Sequence, residues 1–174
     1  MREYVINPET DETLAQKVYD LAYHYEQKNG SCAQCVIAAV QEVFDYDFSA
    51  LFEASYGLGG GGGLTSKGTC GALNAMMLLI GAFIGRDRSE FHTQRNPGCY
   101  ALCRKVLLEF EEKYDSILCE GVQMKIMGRS FDLSIEEEYE AFESAGGHED
   151  KCPSVVGGAA KKIAEMLLSG ELPR

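Results

Sequence analysis

The stretch TCGALNAMMLLIGAFIG, residues 69–85, decides the fold. It carries no charged residue, and its apolar side chains fall on every face of a helix rather than on one stripe, the pattern of a helix enclosed by others. A bilayer span is the competing reading. Such a span needs roughly 20 mainly apolar residues, whereas this stretch is shorter and holds Asn74 near its middle. A buried central helix requires partners around it. On both sides of it apolar residues recur at spacings of three and four, with no sustained alternation of period two. The expectation is therefore an all-α, single-domain bundle of seven or eight helices with little or no sheet.

Working outward, a first helix is expected over 11–28, with Leu14, Val18, Leu21, Ala22 and Tyr25 on one face and Asn29-Gly30 as its stop. A second starts at Ser31 and carries Cys32, Val36, Ala39, Val40 and Val43. A short third, 48–56, runs into Gly57-Leu58 and five consecutive glycines, Gly59 to Gly63. Beyond the central helix, Pro97-Gly98 opens a helix to about Tyr114, with Cys99, Cys103, Val106, Leu107 and Phe110 as its stripe. A helix over 116–127 and an acidic helix ended by Ser144-Ala145-Gly146-Gly147 follow. Pro153 suits the first turn of a last helix, 154–169. No repeat or long linker divides residues 1–174.

A chain of 174 residues can bury roughly 70% of its unfolded surface without disulfide staples. Net charge is −11, from sixteen basic and twenty-seven acidic residues, and no basic cluster could neutralise a phosphate backbone, so nucleic acid is not an expected partner. The acid excess concentrates over 132–150, where Glu136, Glu137, Glu138, Glu140 and Glu143 read as a solvated helix face or a docking surface. Residues 1–8, MREYVINP, lack the apolar stretch of a secretion signal, so the expected compartment is a reducing cytoplasm. Seven cysteines, an odd number, argue against a fully paired disulfide framework.

Cysteine position says more than cysteine count. Cys32, Cys70, Cys119 and Cys152 each fall where a helix is expected to begin, and unpaired N–H groups with a partial positive charge favour thiolate there. A thiolate is a nucleophile, a disulfide partner and a soft metal ligand. Cys32-Ala33-Gln34-Cys35 has dithiol spacing at a helix start but lacks the strand and βαβ context of a thioredoxin-like centre; Cys35 reads equally as a small core residue. Cys99 and Cys103, four apart, read as core packing, with extra ligands or an electron-shuttling dithiol as the alternative. His148 lies four residues before Cys152 and reads as a ligand, as a base for Cys152, or as a surface imidazole.

The glycine run fits the spacing of a dinucleotide fingerprint, yet a helix rather than a strand precedes it and no lysine follows its last glycine. The better reading is a loop that brings Gly61, Gly62, Gly63 and Gly68 close to anionic sulfur or to a cofactor near Cys70. A plain flexible loop is the alternative.

Gly59-Gly60-Gly61 leading to Gly68-Thr69-Cys70-Gly71-Ala72, with Ser31-Cys32-Ala33-Gln34 upstream and Cys119 and His148-x-x-x-Cys152-Pro153 downstream, resembles the redox-active protein family of the C_GCAxxG_C_C type. The resemblance runs from about Ala15 to Leu168. It implies a mainly helical domain, found largely in anaerobic bacteria and archaea, whose activity is inferred from its cysteines. Related domains fused to haem-binding cytochrome segments imply an iron–sulfur centre. Position by position, the family cysteines match Cys32, Cys70, Cys119 and Cys152. Ala75 stands where the motif has its final glycine, and Cys35, Cys99 and Cys103 are additions.

Three functions follow as expectations. In the first, Cys32, Cys70, Cys119 and Cys152, with His148 as a further candidate ligand, hold a two-iron, two-sulfide cluster for electron transfer. In the second, the same cysteines cycle between dithiol and disulfide without metal. In the third they hold a structural zinc, or only the fold. A redox protein is the expected partner, and a second copy of the chain is a candidate for a homodimer.

Overall fold

A computed structural model describes residues 8–174, and side chains from residue 11 on. The opening segment read above for a secretion signal lies, up to residue 7, outside the described residues. Among the described residues eight α-helices follow one another: α1 Pro8–Asn29, α2 Cys32–Phe44, α3 Ser49–Ser55, α4 Gly71–Ile84, α5 Pro97–Tyr114, α6 Cys119–Met127, α7 Glu136–Ser144 and α8 Cys152–Leu168. No strand occurs among the described residues; a lone antiparallel bridge joins Thr69 to Leu118. The all-α expectation holds, and the helix starts at Cys32 and Cys119, with Cys70 as the residue capping α4, agree with the sequence.

α4 is the central helix of the sequence reading, with Gly71, Ala72, Leu73, Ala75, Met76, Leu79 and Ile80 buried. It packs against α2, α5 and α8. α8 shares the centre. It lies against α1, α2 and α4 and buries Val155, Val156, Ala160, Ile163, Ala164 and Leu167 almost completely, each large side chain contributing about 1.5–3 kcal/mol. Its last turn precedes Gly170, as expected, but it begins at Cys152, two residues earlier than the sequence signal. Gly157 lets α1 come close: a β-carbon there would lie 2.9 Å from the Tyr19 ring.

A small second core of Phe131, Leu133 and Phe142 joins the α6–α7 connection to α7, and Cys152 packs against it. The acidic residues of α7 face solvent; Glu136, Glu137, Glu140 and Glu143 are exposed while Phe142 is buried, which is the solvated face expected. No helix among the described residues is long and apolar enough to cross a membrane.

Candidate functional site

Two left-handed residues, Gly30 and Ser31, turn the chain sharply from α1 into α2, so Cys32 opens α2 facing the end of α1. The glycine segment then wraps over it. Gly60, Gly61, Gly62 and Gly63 all have φ between 55° and 85°, a run that β-carbon sterics forbid to other residues at low cost. The segment closes on itself through hydrogen bonds from Gly63 N to Gly57 O (2.9 Å), Ser66 N to Gly60 O (2.8 Å) and Gly68 N to Gly61 O (2.9 Å). The turn is thus closed by its own backbone hydrogen bonds.

That turn also brings two distant cysteines side by side. Cys70 N donates to Ile117 O (2.8 Å) and Cys119 N to Gly68 O (2.9 Å), so the starts of α4 and α6 are laced together across the Thr69–Leu118 bridge. Cys152 arrives from the far side on a π-helical turn, Gly147–Lys151, that runs into α8. Gly147 has no β-carbon because the Phe142 ring occupies that space.

The result is one cavity of about 450 Å³ lined by Cys32, Cys70, Cys119 and Cys152, together with His148, Glu26, Tyr139 and the backbone of Gly30, Gly57, Gly59, Gly60 and Gly63. Of the glycines singled out in the sequence, Gly63 lines the cavity. Gly61 backs it, since a β-carbon there would lie 2.8 Å from Cys119 Cβ. The Gly62 and Gly68 amides are spent inside the turn. Gly60, which the sequence reading did not single out, supplies the backbone hydrogen bond to the Cys32 sulfur.

The lowering expected of thiols at helix starts is outweighed by burial. Burial pushes all four thiols up: Cys70 to about 12, Cys32 and Cys152 well above the ordinary thiol value, and Cys119 in the same direction. The helix-start donors are present, since Ala72 and Leu73 N–H groups reach Cys70 and lower its pKa, but desolvation outweighs them. The groups also work against one another. Cys70 and Cys119 raise Cys32 and Cys152, and Glu26 raises both.

Two polar residues that the sequence did not flag, Gln123 and Glu26, complete the site. Gln123, 1% exposed, donates to Cys119 Sγ (3.5 Å) and Ser66 Oγ (3.1 Å) and accepts from Phe131 N (2.7 Å). It lies one turn after Cys119 on α6, the only signal available for it. Glu26 continues the buried stripe of Val18 and Ala22 at a spacing of four. A carboxyl on an apolar stripe was the legible sign. Its Oε2 has no hydrogen-bond partner among the described residues, and Oε1 lies 3.9 Å from His148 Nε2, whose other ring nitrogen is 2.5 Å from Glu143 Oε1.

Burial raises the Glu26 carboxyl pKa, against the opposing pull of His148 and of the nearby Cys35 thiol. A raised acid contributes stability that is present below its unfolded value, about 4.3, and is lost as pH rises through the folded value. Glu26→Gln is therefore expected to gain on wild type as pH rises from 5 to 8, read as the difference in Tm of metal-free protein. A difference that stays flat with pH would contradict this.

The remaining cysteines lie elsewhere. Cys35 is 3% exposed and donates to Gly30 O (2.9 Å), outside the cavity lining, as a core residue. Cys99 and Cys103 are half-buried against the core on α5, as their stripe position implies. All seven cysteines are free thiols. Among the described residues, no three His, Cys, Asp or Glu side chains are gathered tightly enough to form the shell of a metal ion.

No curated protein and no solved structure matches the chain. A family model does match, over residues 30–166, well over half of the chain and a span that contains all four cavity cysteines. On that match the chain belongs to the family described as "Putative redox-active protein (C_GCAxxG_C_C)".

Proposed function

We propose that this redox-active protein is an electron carrier in which Cys32, Cys70, Cys119 and Cys152 hold a [2Fe–2S] cluster. The observation that carries the reading is that the cysteines opening α2, α6 and α8 and capping α4, far apart in sequence, line one cavity. Four thiolates are the usual complement of such a cluster. Each iron of a two-iron cluster takes two protein sulfurs, so four cysteines complete the set.

The electrostatics support the same choice. Buried thiols that raise one another stay protonated on their own, and a bound cation is what makes burying several thiolates together favourable. When bound, the cluster supplies one-electron chemistry. The chain supplies N–H groups of Gly60, Ala72 and Leu73 and the Gln123 amide, which offset negative charge on the sulfurs, and Leu133, Val155 and Val156, which limit water.

A metal-free thiol–disulfide cycle makes a different electron count, because each disulfide takes up two electrons and a two-iron cluster one. Anaerobic coulometric titration of purified protein is expected to give one electron per chain. Two electrons per chain, with no visible absorbance change, would replace the cluster reading by the disulfide one.

A further inference from the structure

We propose that Cys99 and Cys103 form a second, independent site that binds a monovalent thiophilic cation of the Cu(I) class between two thiolates. Nothing in the electron-carrier reading uses this pair, and neither sulfur lines the thiol cavity.

Both residues project from the first turns of α5, one turn apart, and both are half-buried, so that reagents can reach them. The platform is fixed. Asn96 caps α5 by accepting from Cys99 N (3.2 Å), and its side-chain amide is hydrogen-bonded to Ile84 O at the end of α4. Cys103 Sγ lies 4.0 Å from Met77 O on the same neighbour. The two thiols also interact: burial first, then the charge of Cys99 and a hydrogen bond with it, raise Cys103 to about 11.

Geometry decides what such a pair can do. Helix residues four apart have β-carbons roughly 5–6 Å apart, whereas a disulfide wants them at about 3.5–4.5 Å, so oxidation would break the helix start. A cation between two sulfurs spans about 4.6 Å, twice a metal–thiolate bond of about 2.3 Å, which the intact helix accommodates. Among the described residues no third His, Cys, Asp or Glu joins the pair. Zinc, which wants four ligands, is therefore poorly served, and a soft ion content with two sulfurs is favoured. Binding forms two metal–sulfur bonds and releases both thiol protons to solvent, with no change in oxidation state.

Anaerobic titration with Cu(I) buffered by bicinchoninate tests this. Wild type is expected to take up one equivalent more than Cys99→Ser/Cys103→Ser, and each single variant to behave like the double. The comparison is a difference, so it reads the same whether or not the thiol cavity holds a cluster. Equal uptake, or a single variant that keeps the extra equivalent, would overturn the site. A second measurement needs no variant: Cu(I)-loaded wild type is expected to alkylate at Cys99 and Cys103 at least about tenfold more slowly with N-ethylmaleimide, because the thiolate is both nucleophile and ligand. Unchanged labelling of the two residues would equally overturn it.

Discussion

Cys70→Ala is expected to leave the helical fold in place and to abolish the visible absorbance of protein prepared without oxygen. Cys70 is 6% exposed at the cap of α4, receives two backbone N–H groups and stands beside Cys119 across the Thr69–Leu118 bridge. Removing one sulfur from a buried site costs the metal-free fold about 1 kcal/mol, in the range of other single-atom deletions. The proposed cluster would suffer far more, because loss of an outer partner alone costs roughly 10–100-fold in affinity and the proposal makes Cys70 a direct ligand. Cys35→Ala, outside the cavity, is expected to keep the absorbance. Circular dichroism and the visible spectrum, recorded on the same samples, separate the two effects. Full wild-type absorbance in Cys70→Ala would remove that residue from the ligand set.

Gly71→Ala is the second large effect. Alanine in a helix is ordinarily better than glycine by about 1 kcal/mol, but here a β-carbon would overlap Cys32 Sγ and approach Leu58 O to 2.9 Å. Overpacking of this kind costs about 1–3 kcal/mol, so the clash wins and the variant loses stability. The Cys32 sulfur must also move, which would displace a ligand of the proposed cluster. Urea unfolding in a double-mutant cycle makes the cause explicit: the cost of Gly71→Ala is expected to shrink by about 1 kcal/mol in the Cys32→Ala background, in the range of coupling between contacting residues. Equal costs in both backgrounds would assign the effect to Leu58 alone.

Much of this architecture was readable in the chain. An uncharged run at 69–85 identified a central helix because only enclosure by other helices makes such a pattern stable in water, and glycine and proline punctuation placed most of the helix ends. What was not readable depends on tertiary closeness. That α8 shares the core with α4 follows from Gly157 and the alanines of α8 meeting α1, which no local pattern states. The glycine run signalled close approach but not that Gly60, rather than its neighbours, would face Cys32. Helix position gave the correct direction for the local effect of the α4 start on Cys70 and the wrong net direction, since burial is a property of the whole fold. His148 is the polar cavity residue that the sequence singled out, whereas Glu26, one turn beyond Ala22 on the apolar stripe of α1, was passed over.

The account rests on the four cavity cysteines being the ligands of a cluster, and iron and acid-labile sulfide content tests this most directly. Protein purified without oxygen is expected to hold about two irons and two sulfides per chain, with both lost together in the alanine variants of Cys32, Cys70, Cys119 and Cys152. Protein free of iron and sulfide after anaerobic preparation and attempted reconstitution, yet folded, would contradict it.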